Sequence, residues 1–157
     1  MPAQYKPVDP AKQLRDLRQE FKYIQQDKLA SEPGPERAAA LADFIKRSHD
    51  MRQLNFVMHA APVCLEHDGD PPQALVRAYT EAAEDDEERL RAYSELADLG
   101  RWIGNDELVA IADEQSREQA PTWVASVEGA EQRRRLRDLG SMFSREFADQ
   151  VRDQIGL

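Results

Sequence analysis

Apolar residues in this chain recur at intervals of three and four, and that period belongs to a helix rather than to a strand. Leu14, Leu17, Phe21 and Ile24 form one such stripe, and Leu136, Phe143, Phe147 and Val151 form another. Composition agrees with the spacing. Two Thr, eight Val and five Ile stand against 21 Ala and 14 Leu, which starves strands and favours helices. The expected fold is therefore all-α. At 157 residues the chain is long enough to bury a real core, and the expectation is one compact domain over 1–157. Its architecture reads as a bundle of five or six helices around a buried central helix, with 1–8 as an extended N-terminal arm.

Caps and breakers divide the stripes. Asp9-Pro10 supplies an N-cap acceptor followed by proline at the first helical position, so the first helix starts there. Ser31-Glu32-Pro33-Gly34-Pro35 ends it. A second helix runs on from Pro35 with Ala38, Leu41, Ala42 and Ile45 on one face. From Met51 the apolar residues Leu54, Phe56, Val57, Met58, Ala60 and Ala61 point almost all round the wheel, which predicts burial on most sides and makes 51–61 the candidate central helix. Pro62 is expected to stop or kink it before the loop His67-Asp68-Gly69-Asp70-Pro71-Pro72.

The stripe Leu75, Tyr79, Ala82, Leu90, Tyr93 and Ala97 keeps one phase, so 71–99 reads as a single helix capped by Asp70 and closed by Gly100. Asp85-Asp86-Glu87-Glu88 competes with that reading, because it has the spacing of a helix N-terminus. Continuity of phase and the lack of Gly or Pro in 73–99 favour one helix. Gly100-Arg101-Trp102-Ile103-Gly104 then reads as an apolar loop, Asn105 or Asp106 as a cap, and Pro121 as the end of the following helix. A change of phase between Trp123-Val127 and the last stripe predicts a break near Gly129 and a long C-terminal helix.

Charge is concentrated in one place. Residues 1–78 carry 11 basic and 11 acidic side chains and 116–157 carry 7 and 7, whereas 79–115 carry 3 and 12, the whole net −9. Such a local field steers cationic partners and repels nucleic acid or anionic lipid. No apolar run approaches the ~20 residues of a membrane span, and the start MPAQYKPVDP has neither part of a signal peptide. The single Cys64 excludes an internal disulfide and fits a reducing, cytoplasmic setting.

Several motifs invite chemistry. Glu81-x-x-Glu84 and Glu95-x-x-Asp98 resemble the paired carboxylates of the all-α nucleotide pyrophosphohydrolases of the MazG type, a resemblance that implies Mg²⁺ held between facing helices. The gap between the pairs is shorter than in that family, and the carboxylates oppose the apolar stripe. Ser48, Arg52, Asn55 and His59 fall on one strip of the expected central helix. That strip is either an internal polar network or a ligand site, with Arg52 gripping an anion and His59 as acid or base. Arg52-x6-His59 is also similar to the loose Arg-to-His pattern of HEPN-type all-α ribonucleases. Cys64, His67, Asp68 and Asp70 lack the partners that complete a zinc or calcium site, so no metal and no cofactor are expected. Arg133-Arg134-Arg135 with Arg137 is the one basic cluster; pairing with the acidic segment suits it better than nucleic acid does.

These residues point to a non-catalytic protein–protein interaction module of the adaptor, regulatory-subunit, chaperone or toxin-neutralising kind. It would bind a basic protein through Glu84, Glu88 and Glu95, with Trp102 as an apolar anchor, and the reading leaves room for a homodimer. The alternative is an all-α hydrolase built on Ser48, Arg52, Asn55 and His59.

Overall fold

The computed structural model describes residues 9–25, 34–65 and 71–157. The expected arm at 1–8, most of the breaker at 31–35 and the loop residues 67–70 lie outside them. Among the described residues the fold is all-α, with eight helices and no strand. The elements are α1 (Pro10–Gln25), α2 (Pro35–Asp50), α3 (Leu54–Leu65), α4 (Pro71–Thr80), α5 (Asp86–Ile103), α6 (Asp106–Ala125), α7 (Gly129–Met142) and α8 (Arg145–Gln154). The chain divides into two compact units, Met1–Leu75 and Val76–Leu157.

Eight helices replace the expected five or six because three segments read as continuous are broken. The first break is at Met51-Arg52-Gln53. The Gln53 amide donates to the Ser48 carbonyl at 2.9 Å and the Arg52 amide to the His49 carbonyl at 3.0 Å. This is the Schellman closure of a helix, and it puts Arg52 at φ 56°, where glycine is usual. The expected central helix thus starts at Leu54, and its apolar girth is not buried all round. Phe56, Val57, Ala60, Ala61 and Cys64 are buried, while Leu54 and Met58 are 48 % and 46 % exposed. Pro62 does not end it, since α3 continues to Leu65.

In the first unit α2 packs along α3, and α1 joins them through aromatic rings. Phe21 stacks on Phe56 with centroids 4.4 Å apart and on Phe44 at 6.5 Å. Phe44 and Phe56, both buried, each contribute roughly 1.5–3 kcal/mol by burial, and each ring pair about 0.5–1.5 kcal/mol beyond it. Arg47 of α2 clasps Glu20 of α1, with Nη2 donating to Oε1 at 2.8 Å. Asp9 caps α1 as its sequence predicts, accepting from the Ala11 amide at 3.0 Å.

The second unit is built on α5 and α6. The helix expected over 71–99 is two helices, and the acidic run is the reason. Asp85 accepts from the Glu88 amide at 2.8 Å, and the Glu88 carboxylate reaches back to accept from the Glu84 amide at 2.7 Å. Gly100 does not end α5. It lies inside the helix, where an added Cβ would fall 2.7 Å from Val109 Cγ2 of α6, so its missing side chain sets how closely the two helices approach. The terminator is Gly104 at φ 68°, so Trp102 and Ile103 belong to the last turn of α5 rather than to a loop.

Asn105 caps α6 by accepting from the Leu108 amide at 3.0 Å. The helix passes through Pro121 to bury Trp123 and Val124. The predicted break near Gly129 is present, but the long C-terminal helix is divided at Phe143, with Ser144 capping α8. Leu90, Ala120, Trp123, Val124, Leu136, Leu139, Phe147 and Val151 form the core on which α7 and α8 close.

Candidate functional site

The acidic segment is less uniform than its charge count implies. Asp85, Asp86, Glu87 and Glu88 occupy the cap and first turn of α5, and Asp106 and Glu107 the first turn of α6. Half of the twelve acidic residues in 79–115 therefore stand where unsatisfied amides and the helix dipole favour negative charge. Others are paired along the surface: Asp86 with Arg89 at 2.9 Å and Asp113 with Arg117 at 3.2 Å. Glu84, Glu88 and Glu95, the expected contact residues, are all exposed, and Trp102 is half-buried. Glu88 has a structural duty besides, since its carboxylate completes the α5 cap. Glu81, Glu84, Glu107 and Glu114 are exposed and make no ion pair among the described residues.

The strip of Ser48, Arg52, Asn55 and His59 is not assembled on one helix face. Ser48 ends up fully buried near the end of α2, with no hydrogen-bond partner for its hydroxyl among the described residues. Arg52 is exposed in the turn, and Asn55 and His59 are exposed on α3. The His59 ring packs edge-to-face with Phe21, the ring centroids 5.2 Å apart. The Schellman turn interrupts the 3.6-residue phase that would have aligned the four side chains, so Arg52 is not the buried ion that a continuous helix predicts.

Cys64 is buried in the first unit, and burial pushes its thiol from 9.0 up to about 11. Its candidate companions His67, Asp68 and Asp70 lie outside the described residues, and no cluster of metal-binding side chains occurs among those described.

The arginine cluster resolves into two pairs with different duties. Arg134 is tied to Glu131 by Nη2 at 2.6 Å, to Asp138 at 2.6 Å and to Glu87 of α5 at 3.4 Å. Its hydrogen bonds hold the Glu131 carboxyl below the usual carboxylate range. Arg135 donates to the Trp123 carbonyl at 2.6 Å and to the Ser126 hydroxyl at 3.0 Å. Pairing with the acidic segment, expected of the whole cluster, thus holds for Arg134 through Glu87. Arg133 and Arg137 are exposed and line a groove of about 650 Å³ between α7 and α8, together with Arg145 and Arg152. The α8 arginines carry no signal of their own in the sequence, because only the break at Phe143 folds α8 back beside α7.

A second cavity of about 500 Å³ lies among α5, α6 and α8. The charges lining it are mixed, Arg101 and Arg117 with Asp106, Asp113 and Glu146. The Ser94 hydroxyl at its edge is committed to the Met142 carbonyl at 2.6 Å.

No helix among the described residues is long and apolar enough to cross a membrane. Comparison with family models, curated proteins and solved structures finds no match for the chain.

Proposed function

We propose that the chain acts by binding rather than by catalysis, as an interaction module that takes up a basic protein on the acidic surface of 79–115. The observation that carries the reading is the unpaired exposed charge of Glu81, Glu84 and Glu114 beside neighbours whose carboxylates are already used in caps and ion pairs. Exposed carboxylates of this kind contribute little to folding and much to the field that a cationic partner meets. Glu84 keeps its place in the proposed contact, Glu95 and Trp102 extend it along α5, and Glu88 is held back by its cap. The reading needs no cofactor and suits a reducing cytoplasm, where the buried Cys64 stays a thiol.

The test is comparative capture. Wild type and the Glu81→Lys/Glu84→Lys/Glu114→Lys variant are used as baits in the same lysate, and retained proteins are identified by mass spectrometry. A basic protein retained by wild type and lost by the variant supports the proposal. Equal retention by both baits contradicts it.

A further inference from the structure

We propose that the groove between α7 and α8 is a binding site for a compact polyphosphate, held by Arg133, Arg137, Arg145 and Arg152. The proposal goes beyond the acidic-surface reading and rests on different helices.

Two arginines come from each wall. Arg133 and Arg137 are four residues apart on α7, about 6 Å along the axis, and Arg145 and Arg152 are seven apart on α8, about 10 Å. All four are exposed, and none of their side chains makes an ion pair or hydrogen bond among the described residues. Their neighbours on the same helix show that acidic partners are within reach of α7 when the fold uses them. Arg134 engages Glu131, Asp138 and Glu87, and Arg135 engages Glu131. The four groove arginines are therefore a concentration of like charge that the protein itself does not neutralise. Asp149 is the one carboxylate lining the groove, and it pairs with none of them.

The chemistry of the side chain narrows the ligand. A guanidinium presents donors in a planar fork that matches phosphate oxygens bidentately. Four forks around a groove of about 650 Å³ suit a ligand carrying several charges within a few ångströms, which is the charge density of linked phosphates. A run of acidic side chains on a peptide spreads the same charge over a longer distance. Long nucleic acid is disfavoured by the surroundings, because Val76–Leu157 carries 11 basic and 19 acidic residues, a net −8. The rest of the lining, Ala130, Leu136, Gly140 and Ala148, is apolar and suits an organic group esterified to the phosphates.

Isothermal titration of the full chain with inorganic pyrophosphate and with ATP, in metal-free buffer, tests the site. Saturable one-to-one binding is expected, with affinity falling at least tenfold in Arg133→Gln/Arg145→Gln. The charge-matched control Arg15→Gln/Arg18→Gln, in the other unit, should bind as wild type does. Equal affinity for the two probes assigns the site to the phosphates alone, and tighter ATP binding assigns it to a phosphate ester; both support the proposal. Amide shifts of Gly140 and Ala148 in the unaltered protein on adding pyrophosphate give a readout independent of any variant. No saturable binding overturns the proposal, as does an equal loss in the control variant. Citrate binding as tightly as pyrophosphate overturns it too, because the site would then recognise carboxylate charge.

Discussion

The guanidinium of Arg135 lies 5.0 Å from the centre of the Trp123 ring, and its Nη1 donates to the carbonyl oxygen of the same residue at 2.6 Å. One side chain thereby covers a core aromatic of α6 and satisfies a carbonyl in its last turn, which ties α7 to α6. Arg133, two residues earlier, has no such role. Arg135→Ala should lower unfolding stability by roughly 1–3 kcal/mol, from a cation–π contact and charge-assisted hydrogen bonds. Arg133→Ala should stay within about 0.5 kcal/mol. Urea denaturation of the two variants measures the difference, and equal midpoints would show that the Trp123 contact contributes nothing.

Glu84 and Glu88 look alike in the sequence and should respond differently to reversal. Glu88→Lys removes the acceptor for the Glu84 amide and places a cation in the first turn of α5, so a loss of about 1 kcal/mol is expected. Glu84→Lys loses no side-chain bond and should fold as wild type does. Thermal melts followed by circular dichroism compare them directly, and a Glu88→Lys melt matching that of Glu84→Lys would refute the cap.

Arg52 holds φ 56° because the α2 terminus requires a left-handed residue there. Arg52→Gly should be tolerated within about 1 kcal/mol, since relief of backbone strain offsets the added chain entropy. Arg52→Val should cost more, roughly 1–3 kcal/mol, because a β-branched side chain disfavours that conformation. Chemical denaturation of the pair checks the order, and a valine variant as stable as the glycine variant contradicts this geometry.

What the sequence discloses divides along physical lines. Asp9-Pro10 and Asn105 are legible because a cap is a local matter of one acceptor and nearby amides. Asp85 and Glu88 are just as local, yet the in-phase stripe masks them, because a helix can stop and restart without losing phase. The stop at Arg52 carries no signal, since the left-handed position of a Schellman turn usually announces itself as glycine and here it is an arginine. Gly100 misleads for the converse reason: a glycine needed for close approach to Val109 looks in sequence like a terminator. The groove arginines depend on tertiary structure altogether. Arg133 and Arg137 are visible as a cluster, but their separation from Arg134 and Arg135 follows from the partners those two find on α5, α6 and α7, and their meeting with Arg145 and Arg152 from how α8 packs on α7.

Cys64 gives the fold a pH signature. Its thiol is held neutral by burial up to about 11, whereas an unfolded thiol ionises near 9.0. Below pH 9 both states are protonated and this residue adds no pH dependence. Between pH 9 and about 11 the unfolded state loses its proton first, so stability should fall as pH rises through that window. Cys64→Ala should lack this component of the slope, at some cost in packing. Denaturation midpoints at pH 8, 9, 10 and 11 measure it, and parallel slopes in the two proteins would contradict a buried neutral thiol.

The central claim, that exposed acidic charge on 79–115 recruits a basic partner, is tested most directly by the association rate of the captured protein as a function of salt. Charge that steers an encounter acts on the on-rate, and at 0.15 M salt its reach is only about 8 Å. Surface plasmon resonance from 0.05 to 0.3 M salt should show the wild-type on-rate falling about tenfold or more, with the off-rate changing much less. The Glu81→Lys/Glu84→Lys/Glu114→Lys variant should start slower and lose that dependence. An on-rate that is flat in salt and equal in the two proteins would contradict the account, and would leave those carboxylates as solvation alone.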